Sequence, residues 1–138
     1  MSDRISEGRK RYWITPPDMY RALDEEFHFD FDPCPYPLPA GWNGVAVPWG
    51  QSNYVNPPFR KSDGMHGAGP TAFIRKAIQE KNEGKSSVIV IPTMAFINML
   101  LEAGAEARSM GRVHWLDAET GEPWKNPSCI TAFVLRGR

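Results

Sequence analysis

Two adjacent prolines at positions 57 and 58, bracketed by Asn56 and Phe59, constrain this chain more than any other stretch. Each ring fixes φ near −65° and removes an amide donor. A residue before proline is pushed out of the α region, so Asn56 and Pro57 must be extended. The short apolar run Tyr54-Val55 precedes them, and two cations, Arg60 and Lys61, follow Phe59. The segment therefore reads as a strand delivering a rigid bend, with one side-chain amide at its start and an aromatic ring at its close. Such a bend packs poorly and makes a good cradle for a flat, amino-bearing group. The Asn56 side-chain oxygen and the Pro57 carbonyl can both accept hydrogen bonds from one NH₂ group, and the Phe59 ring can lie against the face that carries it. A purely structural Pro-Pro loop is the plainer alternative in a chain where 13 of 138 residues are proline.

The flanking sequence places this bend in an alternating α/β pattern. Residues 1–11 read as a flexible, polar arm. Thr15-Pro16-Pro17-Asp18 carries the signals of a helix start, with Thr15 as N-cap, proline at the first helical position and an acid in the first turn. Met19, Leu23 and Phe27 then recur along one helical stripe. Phe29 to Asp32 alternates like a short strand. Prolines 33, 35, 37 and 39 make 33–44 a loop, and Val45 to Val47 reads as a brief strand or extended segment. Ser52 to Val55 is the strand that leads into the bend, and the glycines in 60–69 mark a surface loop. Pro70 opens a helix with Phe73, Ile74, Ala77 and Ile78 on its buried face, ended by Gly84. Ser87 to Ile91 is continuously apolar and reads as a strand buried on both faces. A helix over 95–103, a strand over 112–116, a polar turn over 117–128 and a final strand over 129–135 complete the chain.

This order predicts a single α/β domain over 12–138, its sheet flanked by helices on both faces. The 87–91 strand should lie parallel beside 52–55. Ligands bind such sheets outside the carboxyl ends of the strands. Asp32 and Asn56 both end predicted strands, so an acid and the amide cradle face one crevice if those strands are neighbours.

Composition narrows the function classes. Apolar residues are 41% of the chain, enough for a globular core. No apolar run approaches the ~18 residues of a membrane span, and the first residues lack the apolar region of a signal peptide. Cys34 and Cys129 are too few for a disulfide framework and lack metal-ligand spacing, as do the scattered His28, His66 and His114. No metal site is expected, and a reducing cytoplasm fits. The formal net charge is zero, so any nucleic acid must be met by local patches, with Arg9-Lys10-Arg11 and Arg60-Lys61 as candidates.

Taken in order, Trp13-Ile14-Thr15-Pro16-Pro17, Phe31-Asp32-Pro33-Cys34 and Asn56-Pro57-Pro58-Phe59 resemble the motifs of the phage-type, Dam-like DNA N6-adenine methyltransferases. The tetrapeptide is similar to the catalytic motif IV of amino-methyltransferases, with phenylalanine where tyrosine is commoner. The later strands, at Val88 to Pro92, Gly111-Arg112-Val113 and the chain end, fall where that family has its own. The resemblance implies a reduced Rossmann-like class I methyltransferase sheet and S-adenosylmethionine as cofactor. Thr15, Pro16, Asp32, Pro33, Cys34 and Asn56 would line the cofactor pocket, with Trp13 close by. Asn56, Pro57, Pro58 and Phe59 would hold a flipped adenine of DNA, whose backbone would pass Arg60 and Lys61. The chain departs from methyltransferases at large in one respect: the glycine-rich cofactor loop after the first strand is replaced by proline-rich 35–39. Two alternatives stay open, an RNA adenine or protein glutamine amino-methyltransferase, and a non-catalytic binding module on the same fold.

Overall fold

A computed structural model describes residues 13–58, 69–92 and 96–138. Among the described residues the elements, in order, are β1 (Trp13–Ile14), α1 (Pro17–Phe27), β2 (Ser52–Val55), α2 (Pro70–Asn82), β3 (Ser86–Pro92), α3 (Ile97–Glu102), β4 (Glu106–Val113), β5 (Leu116–Asp117) and β6 (Ser128–Leu135). The expected arm and Phe59, Arg60 and Lys61 lie outside the described residues, as does most of the glycine-rich loop after them.

A mixed four-stranded sheet runs in the order β2-β3-β6-β4. As expected, β2 and β3 are parallel, with Tyr54 opposite Val88. β6 is antiparallel to both of its neighbours, β3 and β4. Outside β2 lies one more parallel segment: Phe31 bridges Asn53, the Asp30 N–H donates to the Ser52 carbonyl at 2.8 Å, and the Tyr54 N–H donates to the Phe31 carbonyl at 3.0 Å. The predicted 29–32 strand thus shrinks to a single bridge, because Pro33 ends the ladder at once. It does lie beside β2, which meets the condition for Asp32 and Asn56 to face one crevice.

The central strands are buried on both faces, successive residues turning to opposite sides of the sheet, and each face has its own helices. Val55, Ile89, Ile91, Phe133 and Leu135 face α2 and α3, meeting Phe73, Ile74, Ala77 and Leu100. Tyr54, Val88, Val90, Ala132 and Val134 face the other way, where Leu23 of α1 covers them with Val113 and Trp115. The helices therefore lie on both sides of the sheet. At the far edge, Arg108 of β4 holds Glu26 of α1 at 2.7 Å and Glu106 at 2.7 Å, with its guanidinium 5.3 Å from the centre of the Phe27 ring.

Several local expectations are corrected. Val45 to Val47 forms no strand: the Asn43 side-chain oxygen accepts the Val45 N–H at 3.2 Å, and its carbonyl accepts the Ala46 N–H at 3.0 Å, which closes a turn. The strand predicted at 112–116 begins at Glu106 and breaks before His114. β4 is an exposed edge strand with a bulge between Ser109 and Gly111, so its sequence lacks the apolar alternation that marks a strand. Of the helix expected over 95–103, residue 95 lies outside the described residues and Ile97–Glu102 forms α3. On α2 the buried face carries one group that the apolar stripe does not reveal, Glu80, 3% exposed. Its carboxylate lies 3.0 Å from Lys76 and 3.1 Å from Lys85. Burial pushes its pKa up, but the hydrogen bonds and charges of the two lysines outweigh burial and hold it below the ordinary value. No described helix is long and apolar enough to cross a membrane.

Candidate functional site

At the carboxyl ends of the parallel segments lies a crevice of about 310 Å³. One wall is the loop after Phe31. Pro33 and Pro35 cannot continue a ladder, and the chain reverses so that the Cys34 N–H donates to Asp32 Oδ1 at 2.8 Å. The Trp42 indole N–H donates to the Pro33 carbonyl at 2.8 Å. Gly44 crosses so close that a Cβ there would lie 2.0 Å from the Pro33 oxygen, which requires glycine at this crossing. Cys34, Leu38 and Trp42 pack against the core beneath. The proline-rich loop is therefore a pinned structure that holds Asp32 at the crevice.

The opposite wall comes from Ile14, Thr15 and Pro17 at the start of α1, and from Tyr20 on its first turn. β1 is held there by antiparallel pairing with β5. Thr15 does not cap the helix. The N-cap is Pro16, with no side-chain cap, and the Thr15 hydroxyl is hydrogen-bonded to the Tyr54 hydroxyl. Both side chains are buried, so each satisfies the other's polar atom in a place where an unpaired hydroxyl is costly. Tyr54 also meets the Tyr20 ring edge-on, with centroids 5.0 Å apart. Burial raises the Tyr54 phenol above its ordinary pKa; the Thr15 bond opposes this, and the negative charge of Asp32 adds to it. The phenol is thus neutral at all ordinary pH. Two residues on, past the end of β2, Asn56 completes the lining.

Asp32 is the polar focus of the crevice. Burial pushes its carboxyl up to about 6, with the Cys34 N–H pulling the other way. Asp32 is half-buried and lines the crevice, and among the described residues no cation pairs with it. The Cys34 thiol is pushed well above its ordinary pKa by burial and by Asp32. It stays protonated and is a poor nucleophile. No group of three or more His, Cys, Asp or Glu among the described residues is arranged to hold a metal ion.

A raised carboxyl pKa has a definite sign in a pH titration. The folded state binds this proton more tightly than the unfolded chain, whose aspartate titrates near ~3.9. The stabilisation from proton binding is complete below about 4 and is lost as the pH rises through about 6. Melting temperature measured from pH 4 to 7 should therefore fall more steeply in the wild type than in Asp32→Asn, whose amide oxygen can still accept the Cys34 N–H. Parallel profiles would mean that Asp32 titrates as an ordinary solvated acid.

Of the residues singled out from sequence, Thr15, Asp32, Cys34 and Asn56 are brought together in the crevice. Pro16, Pro33, Pro57 and Pro58 shape the segments around it and do not line it. Trp13 contributes its backbone to β1, and Phe59, Arg60 and Lys61 lie outside the described residues. Sequence reasoning missed Tyr20, Tyr36 and Tyr54 as lining residues. Tyr54 was within reach, since a strand residue two positions before Asn56 projects to the same side. No family model, curated protein or solved structure matches this chain.

Proposed function

We propose that the protein is an S-adenosylmethionine-dependent DNA adenine N6-methyltransferase, built on a reduced Rossmann-like sheet of the class I methyltransferase type. The observation that carries this reading is the convergence of Thr15, Asp32 and Asn56, from three separated motifs, on one crevice at the carboxyl ends of adjacent parallel segments. The donor set fits the cofactor. A carboxylate held at the crevice with no described cation beside it suits a ligand carrying a sulfonium and an ammonium group. The tyrosine rings and the Thr15–Tyr54 pair suit its nucleoside portion. A volume of about 310 Å³ lies at the small end of the ~300–1,000 Å³ of ligand pockets and suits one nucleoside-sized ligand.

In this reading Asp32 and Thr15 hold the cofactor, and the Asn56-Pro57 segment holds the target. An adenine amino nitrogen is a weak nucleophile because its lone pair is delocalised into the ring. The Asn56 side-chain oxygen and the Pro57 carbonyl accept its two hydrogens, which favours a tetrahedral nitrogen and exposes the lone pair. When bound, S-adenosylmethionine would supply an electrophilic methyl group; the amino nitrogen held by Asn56 and Pro57 would take it in exchange for one of its protons, released to solvent, and a neutral thioether would be left. Cys34, protonated, takes no covalent part. A base in a duplex must leave the stack to reach this crevice, at a cost of a few kcal/mol.

The test is transfer of a radiolabelled methyl group to DNA, RNA and protein substrates, followed by digestion and identification of the product. N6-methyl-2′-deoxyadenosine from DNA is the expected result. Label confined to RNA or protein, or cofactor binding with no transfer to any substrate, would replace this reading with one of the alternatives.

A further inference from the structure

The residues that line the crevice include no cation, yet a DNA strand that carries a base into it must lie over the same end of the sheet. β6 is antiparallel to both β3 and β4. β4 therefore runs in the direction of β3, and its carboxyl end, Arg112-Val113, lies at the crevice end of the sheet. Val113 and Trp115 are buried in the core there, and Arg112 and His114 alternate with them, exposed, so the latter two share one outward side. β5 follows and pairs with β1, placing Leu116 opposite Ile14 of the crevice wall. The turn after β5 folds back on this segment: the Trp124 N–H donates to the Trp115 carbonyl at 2.7 Å, and the Asp117 N–H to the Glu122 carbonyl at 2.9 Å. The His114 Nδ1–H donates to the Trp124 carbonyl at 2.7 Å, since a carbonyl can only accept. The backbone of Lys125, next in the chain and exposed, is thereby held beside His114. Among the described residues neither Arg112 nor Lys125 is paired with an acid.

Resting on the function proposed above, we infer that Arg112 and Lys125 form a strip that takes the phosphate backbone of the DNA strand whose adenine enters the crevice. Contacts of this kind fix the strand's position and carry no sequence information. The Arg112 fork suits two phosphate oxygens at once, and Lys125 adds a point charge. The strip lies three strand spacings from β2, about 14 Å away. At ~3.4 Å per nucleotide of one strand, that is about four nucleotides from the target base. The contact is therefore separate from Arg60 and Lys61, which follow the Asn56–Phe59 motif directly in sequence. The acids of the same turn, Asp117, Glu119 and Glu122, keep the attraction local, in keeping with a chain of zero net charge. Asp117 Oδ1 is already engaged, accepting the Glu119 N–H at 2.8 Å.

The inference is tested by fluorescence anisotropy with two labelled single-stranded DNA probes, one of about 13 nucleotides with a central adenine and a pentanucleotide with the same centre, across about 50–200 mM salt. Both are titrated, with S-adenosylhomocysteine saturating, into the wild type, the double variant Arg112→Ala/Lys125→Ala, and the charge-preserving Arg112→Lys/Lys125→Arg. Circular dichroism and calorimetric S-adenosylhomocysteine affinity report folding and the crevice, which two exposed side chains outside its lining should not disturb. For the long probe, the double alanine variant should flatten the slope of log affinity against log salt by about 1.4, two contacts at ~0.7 each for a single strand. The charge-preserving variant should keep the wild-type slope. The pentanucleotide is too short to reach the strip, so it should bind the wild type more weakly than the long probe and be indifferent to the variants. A wild-type slope in a folded double alanine variant overturns the inference and leaves the methyltransferase reading intact, as does a wild type that holds both probes equally tightly. A wild type that binds S-adenosylhomocysteine but neither probe removes the DNA substrate and the strip together. A wild type that binds none of the three removes the function as well.

Discussion

Asn56→Ala should lose about 10²–10³ in single-turnover methyl transfer, the cost typical of removing one preorganised polar group from a reacting centre. The side chain lines the crevice at the end of β2, and in the proposed mechanism its oxygen accepts a hydrogen from the target amino group. That bond tightens as the nitrogen becomes tetrahedral. An interaction stronger in the transition state than in the ground state changes turnover more than binding. S-adenosylhomocysteine affinity should therefore change little beside the loss in rate. Asn56→Asp should be tolerated better, because a carboxylate still accepts there, and Asn56→Ser should fall between. A turn-forming role predicts the opposite pattern: a lowered melting temperature, with activity falling only in proportion to unfolding. The fold gives reason to expect separation of the two, because β2 is anchored elsewhere. The buried Asn53 amide donates to the Gly50 and Ser86 carbonyls, each at 3.0 Å, and the Ser52 hydroxyl donates to the Phe27 carbonyl at 2.6 Å. Thermal stability and single-turnover rate measured on the same three variants decide between the two roles. Full activity in a folded Asn56→Ala protein would remove the catalytic assignment.

The elements legible in the sequence were those whose signal is local. The apolar run at 87–91 became β3, buried from Ser87 to Ile91, because a strand covered by helices on both faces has no polar side to interrupt it. Pro70 and Gly84 bounded α2 closely, because a missing amide and a positive φ of 92° are properties of single residues. Asp32 and Asn56 met because each is set at a strand end by the proline that follows it. What was hidden depends on partners distant in sequence. Thr15 carries every local mark of an N-cap, but its hydroxyl is bonded to Tyr54, 39 residues away, and the tertiary partner overrides the propensity. β4 was misread because an edge strand owes its place to pairing with β6 and not to a buried stripe. Tyr36 was passed over as part of a proline-rich loop.

Phe73→Ala should destabilise the fold by about 3–5 kcal/mol, the range for truncating a fully buried phenylalanine. The ring is completely buried on the inner face of α2, among Val55, Ile89 and Phe133 of the sheet. It also supports the crevice from below. A Cβ on Gly44 would come within 3.1 Å of the Phe73 ring, so the ring lies directly under the crossing that pins the proline-rich loop. Cys34, Leu38 and Trp42 rest on the same cluster. Its removal leaves a cavity bounded by a β-sheet on one side and a proline-rich loop on the other. The sheet cannot move in without breaking its ladder. The loop can move only by shifting Cys34, Leu38 and Trp42, which pack against the same cluster, and either outcome retains most of the cavity cost. Against the ~5–15 kcal/mol of a typical domain, this is a large fraction of the total. Urea unfolding should show a much lower midpoint with an unchanged slope, since the area exposed on unfolding is nearly the same. Phe73→Leu, which keeps more of the volume, should cost about 1–2 kcal/mol. A second readout separates loop support from general stability. At a temperature where Phe73→Ala remains folded, its affinity for S-adenosylhomocysteine should fall, because Asp32 stands at the start of the loop that the ring supports. A destabilisation below ~1 kcal/mol would mean that α2 is not seated on the sheet through this residue. A large destabilisation with unchanged ligand affinity would mean that the loop holds its shape through the Asp32–Cys34 and Trp42–Pro33 bonds alone.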